Sequence, residues 1–269
     1  MKFKLAIAFV LILGYASCID TEERVIINKD NSGTYQLTMD MGNMLKMVSQ
    51  MGGNDKDASK THEKKDSTIY FKNFVDTSTK LSAEEKDMLR EGSLRIKADE
   101  DKNEMNLVIS LPFKNISQLP KLRQTYMAAL DKTGVMNQLD NKKQKNDNMD
   151  QPDAGDDMPK DMGAASKSLN PAADAFTFSA APGKISNKFT NKELFETKVA
   201  QDSAVQMMQS LSAMMGDMNY KTVFVLPKPV KKYTGNNAEV SADKKTVTFK
   251  TTLSDLLNRP TAGEFELEY

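Results

Sequence analysis

One thiol, one imidazole, a set of methionines and scattered carboxylates are the side chains of this sequence that could do chemistry. Cys18 is the only cysteine, so no disulfide framework, zinc knuckle or iron–sulfur cluster can be built within the chain. His62 sits between Thr61 and Glu63-Lys64-Lys65. A catalytic imidazole needs a fixed partner and a partly dry site, and this polar stretch offers neither. Asp99, Asp101 and Asn103 match the start of a calcium loop. The match then fails, with Glu104 where Gly is needed and Ser110 where the closing Glu belongs, so a polar hairpin turn is expected. Asp147, Asp150, Asp153, Asp156 and Asp157 read as a solvated linker rather than a weak calcium site. No G-x-S-x-G, G-x-G-x-x-G or Walker sequence is present. Two carboxylates could hydrolyse a glycoside at a separation of roughly 5–10 Å. However, Glu264, Glu266 and Glu268 alternate with Phe265, Leu267 and Tyr269, the pattern of a strand with one wet face. The expectation is a non-enzymatic protein without cofactor or metal.

Methionine is the unusual residue, with 18 copies. Met41, Met44, Met47 and Met51 fall on one expected helix. Met207, Met208, Leu211, Met214, Met215 and Met218 recur at the spacing of one helical face. Such a face packs a core in most proteins. Thioethers are also flexible and polarizable, which suits adaptable apolar binding, so Met207, Met208, Met214 and Met215 form a candidate binding surface for a lipid or an envelope protein. Thioethers can bind Cu(I) as well, but no His or Cys stands near to support a copper site.

The N-terminus carries an address. Lys2 and Lys4 precede the apolar run Leu5–Leu13, and Gly14-Tyr15-Ala16-Ser17 leads into Cys18. A basic start, a short apolar run and small residues make a secretory signal, and the run is too short to span about 30 Å of hydrocarbon comfortably. The segment resembles a bacterial lipoprotein signal, with Ala16 and Ser17 fitting the lipobox and Tyr15 standing where an aliphatic residue is usual. That resemblance implies cleavage after residue 17, lipidation of Cys18 and a location in the bacterial envelope, on the outer membrane. The acidic stretch Asp20, Thr21, Glu22, Glu23 looks like the export signal of some surface lipoproteins, or serves as a solvated tether. The full chain carries 37 basic and 37 acidic side chains. Without a basic surplus it is not expected to bind nucleic acid, nor to be drawn to anionic lipid by net charge.

Positioning these residues requires a folded frame. The 269 residues suffice for one large domain or two small ones. The apolar fraction, about 41% when Gly is counted and Tyr is not, falls below the usual ~45–50% and predicts some unstructured sequence. Glu23–Asn28 reads as a strand, residues 29–33 as a turn and Thr34–Asp40 as its alternating partner, followed by a helix over 41–51. The order recurs over Ser93–Ala98, Glu104–Phe113 and a helix from Ser117; over Ala175–Ala180, Ile185–Phe189 and helical sequence to Met218; and over Ala238–Ser241, Thr246–Leu253 and a short helix at 254–257. Tyr220–Leu226 is the most continuously apolar strand and belongs in a sheet interior. Ser82-Ala83-Glu84-Glu85 fits a capping box opening a further helix. These signals predict an α+β fold, an antiparallel sheet built from repeated hairpin–helix units with helices packed on one face. The expected organisation is a signal peptide over 1–17, a first core part over 18–132, an unstructured linker or insertion over 133–173, and a second core part over 174–269. A polar stretch, 54–66, is also expected to lack structure.

Pro227-Lys228-Pro229-Val230, the turn Gly235-Asn236-Asn237 and the strand-turn-strand ending at Thr246-Val247-Thr248-Phe249-Lys250 resemble the LppM-like class of bacterial envelope lipoproteins. The first hairpin, with Asp30-Asn31-Ser32-Gly33, fits that class too. These motifs cover about a quarter of the chain, which departs from the class in its Asp/Asn-rich insert and in showing no C-terminal membrane helix. The resemblance implies an α+β envelope domain without established enzymatic activity and supplies no catalytic residues. The alternative to a binding role is a purely structural surface lipoprotein.

Overall fold

The computed structural model describes residues 20–43, 46, 64–135, 175–199 and 201–269. The fold is mixed α and β, rich in strands, with two sheets and a few helices. Strands β1 (Asp20–Ile27) and β2 (Gly33–Asp40) form a hairpin. Its turn is set by Asn31 at φ 66° and by the Asp30 carboxylate, which accepts the Ser32 N–H at 3.0 Å. Asp40 then accepts the Gly42 N–H at 2.9 Å, the start of helical backbone at Gly42 and Asn43. Met44, Met47 and Met51 lie outside the described residues.

Strand β3 (Lys64–Tyr70) leads through α1 (Lys72–Thr77) and α2 (Ala83–Leu89) to β4 (Ser93–Asp99) and β5 (Glu104–Phe113). The Ser82 capping box forms as its sequence predicts, with the Ser82 hydroxyl accepting from the Glu85 N–H and the Glu85 carboxylate accepting from the Ser82 N–H. Helix α3 (Leu119–Thr133) follows, with Pro120 in its first turn, where a missing N–H costs nothing. Beyond residue 174 come β6 (Phe176–Ala181), β7 (Lys184–Phe189), a π-turn over Phe195–Val199 and α4 (Ser203–Met215). Last are β8 (Asn219–Val225), β9 (Lys232–Gly235), β10 (Glu239–Val240), β11 (Thr246–Thr252), α5 (Leu253–Asn258) and β12 (Phe265–Glu268).

The expected single antiparallel sheet is corrected in two ways. The strands divide into a large sheet, ordered β10-β11-β8-β1-β2-β5-β4-β3, and a small one, ordered β6-β7-β12-β9. Moreover, β1 pairs with β8 in parallel, Glu23 opposite Thr222 and Val25 opposite Phe224. A hairpin turn fixes antiparallel pairing only for the two strands it joins. Strands nearly two hundred residues apart carry no such local signal. The large sheet has one apolar face, carrying Val25, Ile27, Tyr35, Leu37, Leu94, Ile96, Leu107, Ile109, Phe224 and Val247. Its other face is mostly polar, with Glu22 bonded to Lys221 at 2.7 Å and to Arg24 at 2.8 Å, and Arg95 gripping Asp66 at 2.8 and 2.9 Å, although Val223 beside Arg24 is buried.

Helix α3 lays Leu119, Leu122, Tyr126, Ala129 and Leu130 on the apolar face. The small sheet covers the rest, and the two sheets meet where Phe265 stacks on Phe249 at 4.7 Å and touches Phe224 at 5.4 Å. A second apolar cluster, with Ala175, Phe195, Val199, Val205, Met208, Met218 and Leu253, joins the π-turn to α4 and α5. Two boundaries also change. Residues 64–66, placed in an unstructured stretch, begin the edge strand β3, held by backbone pairing to β4 rather than by burial. Residues 133–135, assigned to the linker, close α3: Gly134 takes φ 70° as its cap and Val135 is buried.

Candidate functional site

The large sheet, α3 and the small sheet do not pack flush. They enclose a cavity of about 450 Å³. Its floor is the first half of β1 (Thr21, Glu23) with the facing parts of β2 (Tyr35, Leu37), β8 (Tyr220, Thr222) and β11 (Phe249, Thr251). Arg123, Tyr126 and Met127 of α3 form one wall. Phe195 and Val199 of the π-turn, Leu253, Leu256 and Leu257 of α5, and Phe176, Asn187 and Phe265 of the small sheet form the others.

The apolar part of this lining comes from both clusters; its buried ion pair centres on Arg123, while Thr21, Thr222, Thr251 and Glu264 place further polar groups elsewhere on the lining. Arg123 grips the Glu23 carboxylate with two N–H groups, at 2.5 and 2.9 Å, and donates a third bond to the Asn187 side-chain oxygen at 3.2 Å. Asn187 in turn donates to the Gly263 carbonyl at 2.9 Å, which fixes its amide. The guanidinium lies 4.6 Å above the Phe178 ring, a cation–π contact. The Arg123 and Glu23 side chains are 15% and 12% exposed. Desolvation alone would lower the Arg123 pKa, but the charge of Glu23 and its hydrogen bonds outweigh that and raise it. A guanidinium has five N–H groups, so three bonds leave two without a partner among the described residues.

Tyr35 and Tyr126 complete the polar end, with rings 5.4 Å apart and hydroxyls hydrogen-bonded to each other. Burial, reinforced by the Glu23 charge, pushes both phenols well above the ordinary tyrosine value. The Thr251 hydroxyl on the floor is buried without a hydrogen-bond partner among the described residues. The lining therefore pairs an apolar volume with a fixed cluster of donors and acceptors, as small-molecule sites do, and its size falls in their ~300–1,000 Å³ range.

The residues singled out in the sequence are placed differently. Cys18 and His62 lie outside the described residues, as do Asp147, Asp150, Asp153, Asp156 and Asp157. Of the candidate methionine surface, Met208 is 9% exposed and packs in the cluster that forms one cavity wall. The side chains of Met207, Met214 and Met215 lie outside the described residues. Met127 is the methionine of the cavity lining among the described residues. Asp99 and Asp101 sit at the turn between β4 and β5, with Asn103 at φ 51°. Lys64 pairs with both carboxylates, at 3.8 and 3.2 Å, and Lys102 with Asp99 at 3.6 Å, so cations of the chain already occupy that turn. Glu23, read in the sequence as part of an export signal or solvated tether, lies inside β1 with its side chain 12% exposed against Arg123; Arg123 and Asn187 carry no sequence signal that joins them to it, because the three are far apart in the chain. The one available signal was Arg123 on the apolar stripe of α3, between Leu122 and Tyr126.

The chain matches no protein-family model and no curated protein. Among solved structures it is similar to the NMR structure of the folded domain of LppM from Mycobacterium tuberculosis. The likeness covers 96% of this chain and 94% of the other, with a TM-score of 0.35 and 9% sequence identity. At that distance it speaks to neither ligand nor activity. No described helix is long and apolar enough to cross a membrane.

Proposed function

We propose that this chain is a lipid-anchored, non-enzymatic protein of the bacterial envelope that binds a single-chain amphiphile between its two sheets. The cavity carries the proposal. Its apolar walls suit one acyl chain, and the two Arg123 N–H groups and the Thr251 hydroxyl that have no partner among the described residues suit an acceptor-rich head. Because Glu23 already neutralises Arg123, the head is held by hydrogen bonds more than by net charge. This reading moves the binding role from the methionine helix to the cavity, with Met208 supporting its wall. The anchor rests on the signal sequence and Cys18; multiple acyl chains at about 0.8 kcal/mol per buried methylene hold a protein on a membrane without a spanning helix.

Binding is tested on the mature chain carrying Cys18→Ser, titrated with cis-parinaric acid, a fatty acid that fluoresces by its own polyene. Saturable binding is expected. Leu257→Trp, which fills the cavity from α5, is expected to weaken it by about tenfold or more while circular dichroism stays unchanged. No binding by the parent, or equal binding by the filled variant, removes the cavity from the function and leaves the purely structural reading. Anchoring is tested in cells. Cys18→Ala is expected to move the protein out of the membrane fraction and abolish acyl labelling, and separation of inner from outer membranes assigns which one holds the parent. Unchanged fractionation of the variant overturns the anchor.

A further inference from the structure

Strand β1 begins at Asp20, two residues after Cys18, and it is an interior strand of the large sheet, pinned by β2 on one side and β8 on the other. Little slack separates the anchor from the fold. At about 3.3–3.6 Å per residue, the Cα of Cys18 lies within roughly 11 Å of the Cα of Thr21, which is itself a lining residue of the cavity.

The cavity is not spread evenly over the sheet. On β1 it touches Thr21 and Glu23 but not Val25 or Ile27. On β8 it touches Tyr220, Lys221 and Thr222 but not Phe224. On β11, which runs the other way, it touches Phe249, Lys250 and Thr251, at the strand's end. The register places all of these at one end of the sheet, since Thr21 lies beside Tyr220 and Thr251 is paired with Tyr220. That end is the one from which the chain leaves toward Cys18. The wall there, Val199, Leu253 and Leu257, is apolar.

We infer that the cavity takes its ligand directly from the bilayer leaflet that holds the anchor, the ligand being a single-chain amphiphile dissolved in that leaflet rather than one captured from water. This rests on the amphiphile reading above and adds the route. A short tether confines the cavity-bearing end of the fold to the membrane surface, and tether length sets how often the two meet.

The test compares two acylated proteins on phosphatidylethanolamine/phosphatidylglycerol vesicles containing self-quenched cis-parinaric acid. One has its native tether; the other has about 15 Gly/Ser residues inserted between Ile19 and Asp20, which lengthens the reach without touching β1. Excess fatty-acid-free albumin outside traps every probe molecule that enters water. The native protein is expected to load despite the albumin, and the lengthened one to load at least about five-fold more slowly. The soluble Cys18→Ser chain, which must capture from water, is expected to be blocked by albumin while binding normally without it. Equal loading by both tethers, or complete blocking of the native protein by albumin, overturns the direct route and leaves the cavity reading intact. Probe binding by the soluble chain but none by either anchored protein means that the anchor's own acyl chain fills the cavity, and also overturns the route. Failure of the soluble chain to bind at all removes the cavity reading, and this inference with it.

Discussion

At the scale of single residues, the Glu23–Arg123 pair is the most exacting feature of the interior. Two charges removed from water must repay their desolvation, and three hydrogen bonds with a cation–π contact do so here. Removing one partner leaves a charge largely out of solvent and without its counter-ion. Arg123→Met is expected to lower stability by about 3–5 kcal/mol in urea unfolding, whereas Arg123→Met with Glu23→Leu should recover most of that loss. A double variant no better than the single would show that the pair is not coupled in this way. The neighbouring phenols give a second expectation. Burial raises the pKa of Tyr220 to about 12, and Tyr35 and Tyr126 are raised as well. A folded-state pKa above the ordinary 10.0 favours the neutral, folded form. The stabilisation is complete below pH 10.0 and is lost as pH climbs through the folded value. Absorbance at the phenolate band should therefore show these phenols titrating late, in step with alkaline unfolding. Smooth titration of all tyrosines near pH 10.0 would contradict their burial.

At the scale of elements, the capping box of α2 also ties that helix to α3. Glu85 accepts from the Ser82 N–H and pairs with Lys132 at 2.5 Å. Lys132 chiefly, and the Ser82 N–H after it, hold the Glu85 carboxyl down at about 2, against an ordinary 4.5. A depressed carboxylate pKa stabilises the fold above the unfolded value and loses that effect as pH falls from 4.5 toward about 2. Glu85→Gln is expected to flatten the acid limb of the stability–pH curve in that window; an unchanged limb would place the acid sensitivity elsewhere. The capping box was legible because both partners lie within one turn of sequence. So were the hairpin β1–β2, the strand at 219–225 and the Pro120 helix start, each set by local spacing. The edge strands β3 and β9 were not. Lys64–Tyr70 and Lys232–Gly235 bury little, so no apolar alternation marks them, and their backbone partners supply what holds them. The cavity was illegible for a related reason: Glu23, Arg123 and Asn187 are joined only by the tertiary fold.

At the scale of the whole molecule, the hydrophobic layer is continuous from α3 through Phe249 and Phe265 into the small sheet, with the cavity set inside it near the end that leads to Cys18. Strands on both sides of residues 136–174 contribute to the same large sheet. Refolding from denaturant is accordingly expected to be slow for a chain of this size, because pairing β1 with β8 closes a loop of nearly two hundred residues. Shortening the segment 136–174 to a few Gly/Ser residues should speed refolding modestly, in line with the logarithmic cost of loop closure. The parallel β1–β8 junction has a further consequence for how the protein is made. A chain exported from its N-terminus delivers β1 first and β8 only after some two hundred more residues. Until β8 arrives, one flank of β1 is an open edge able to pair with any passing strand. On the export route proposed above, this leaves an interval in which the nascent protein needs shielding, one that ends only when residues 219–225 have emerged.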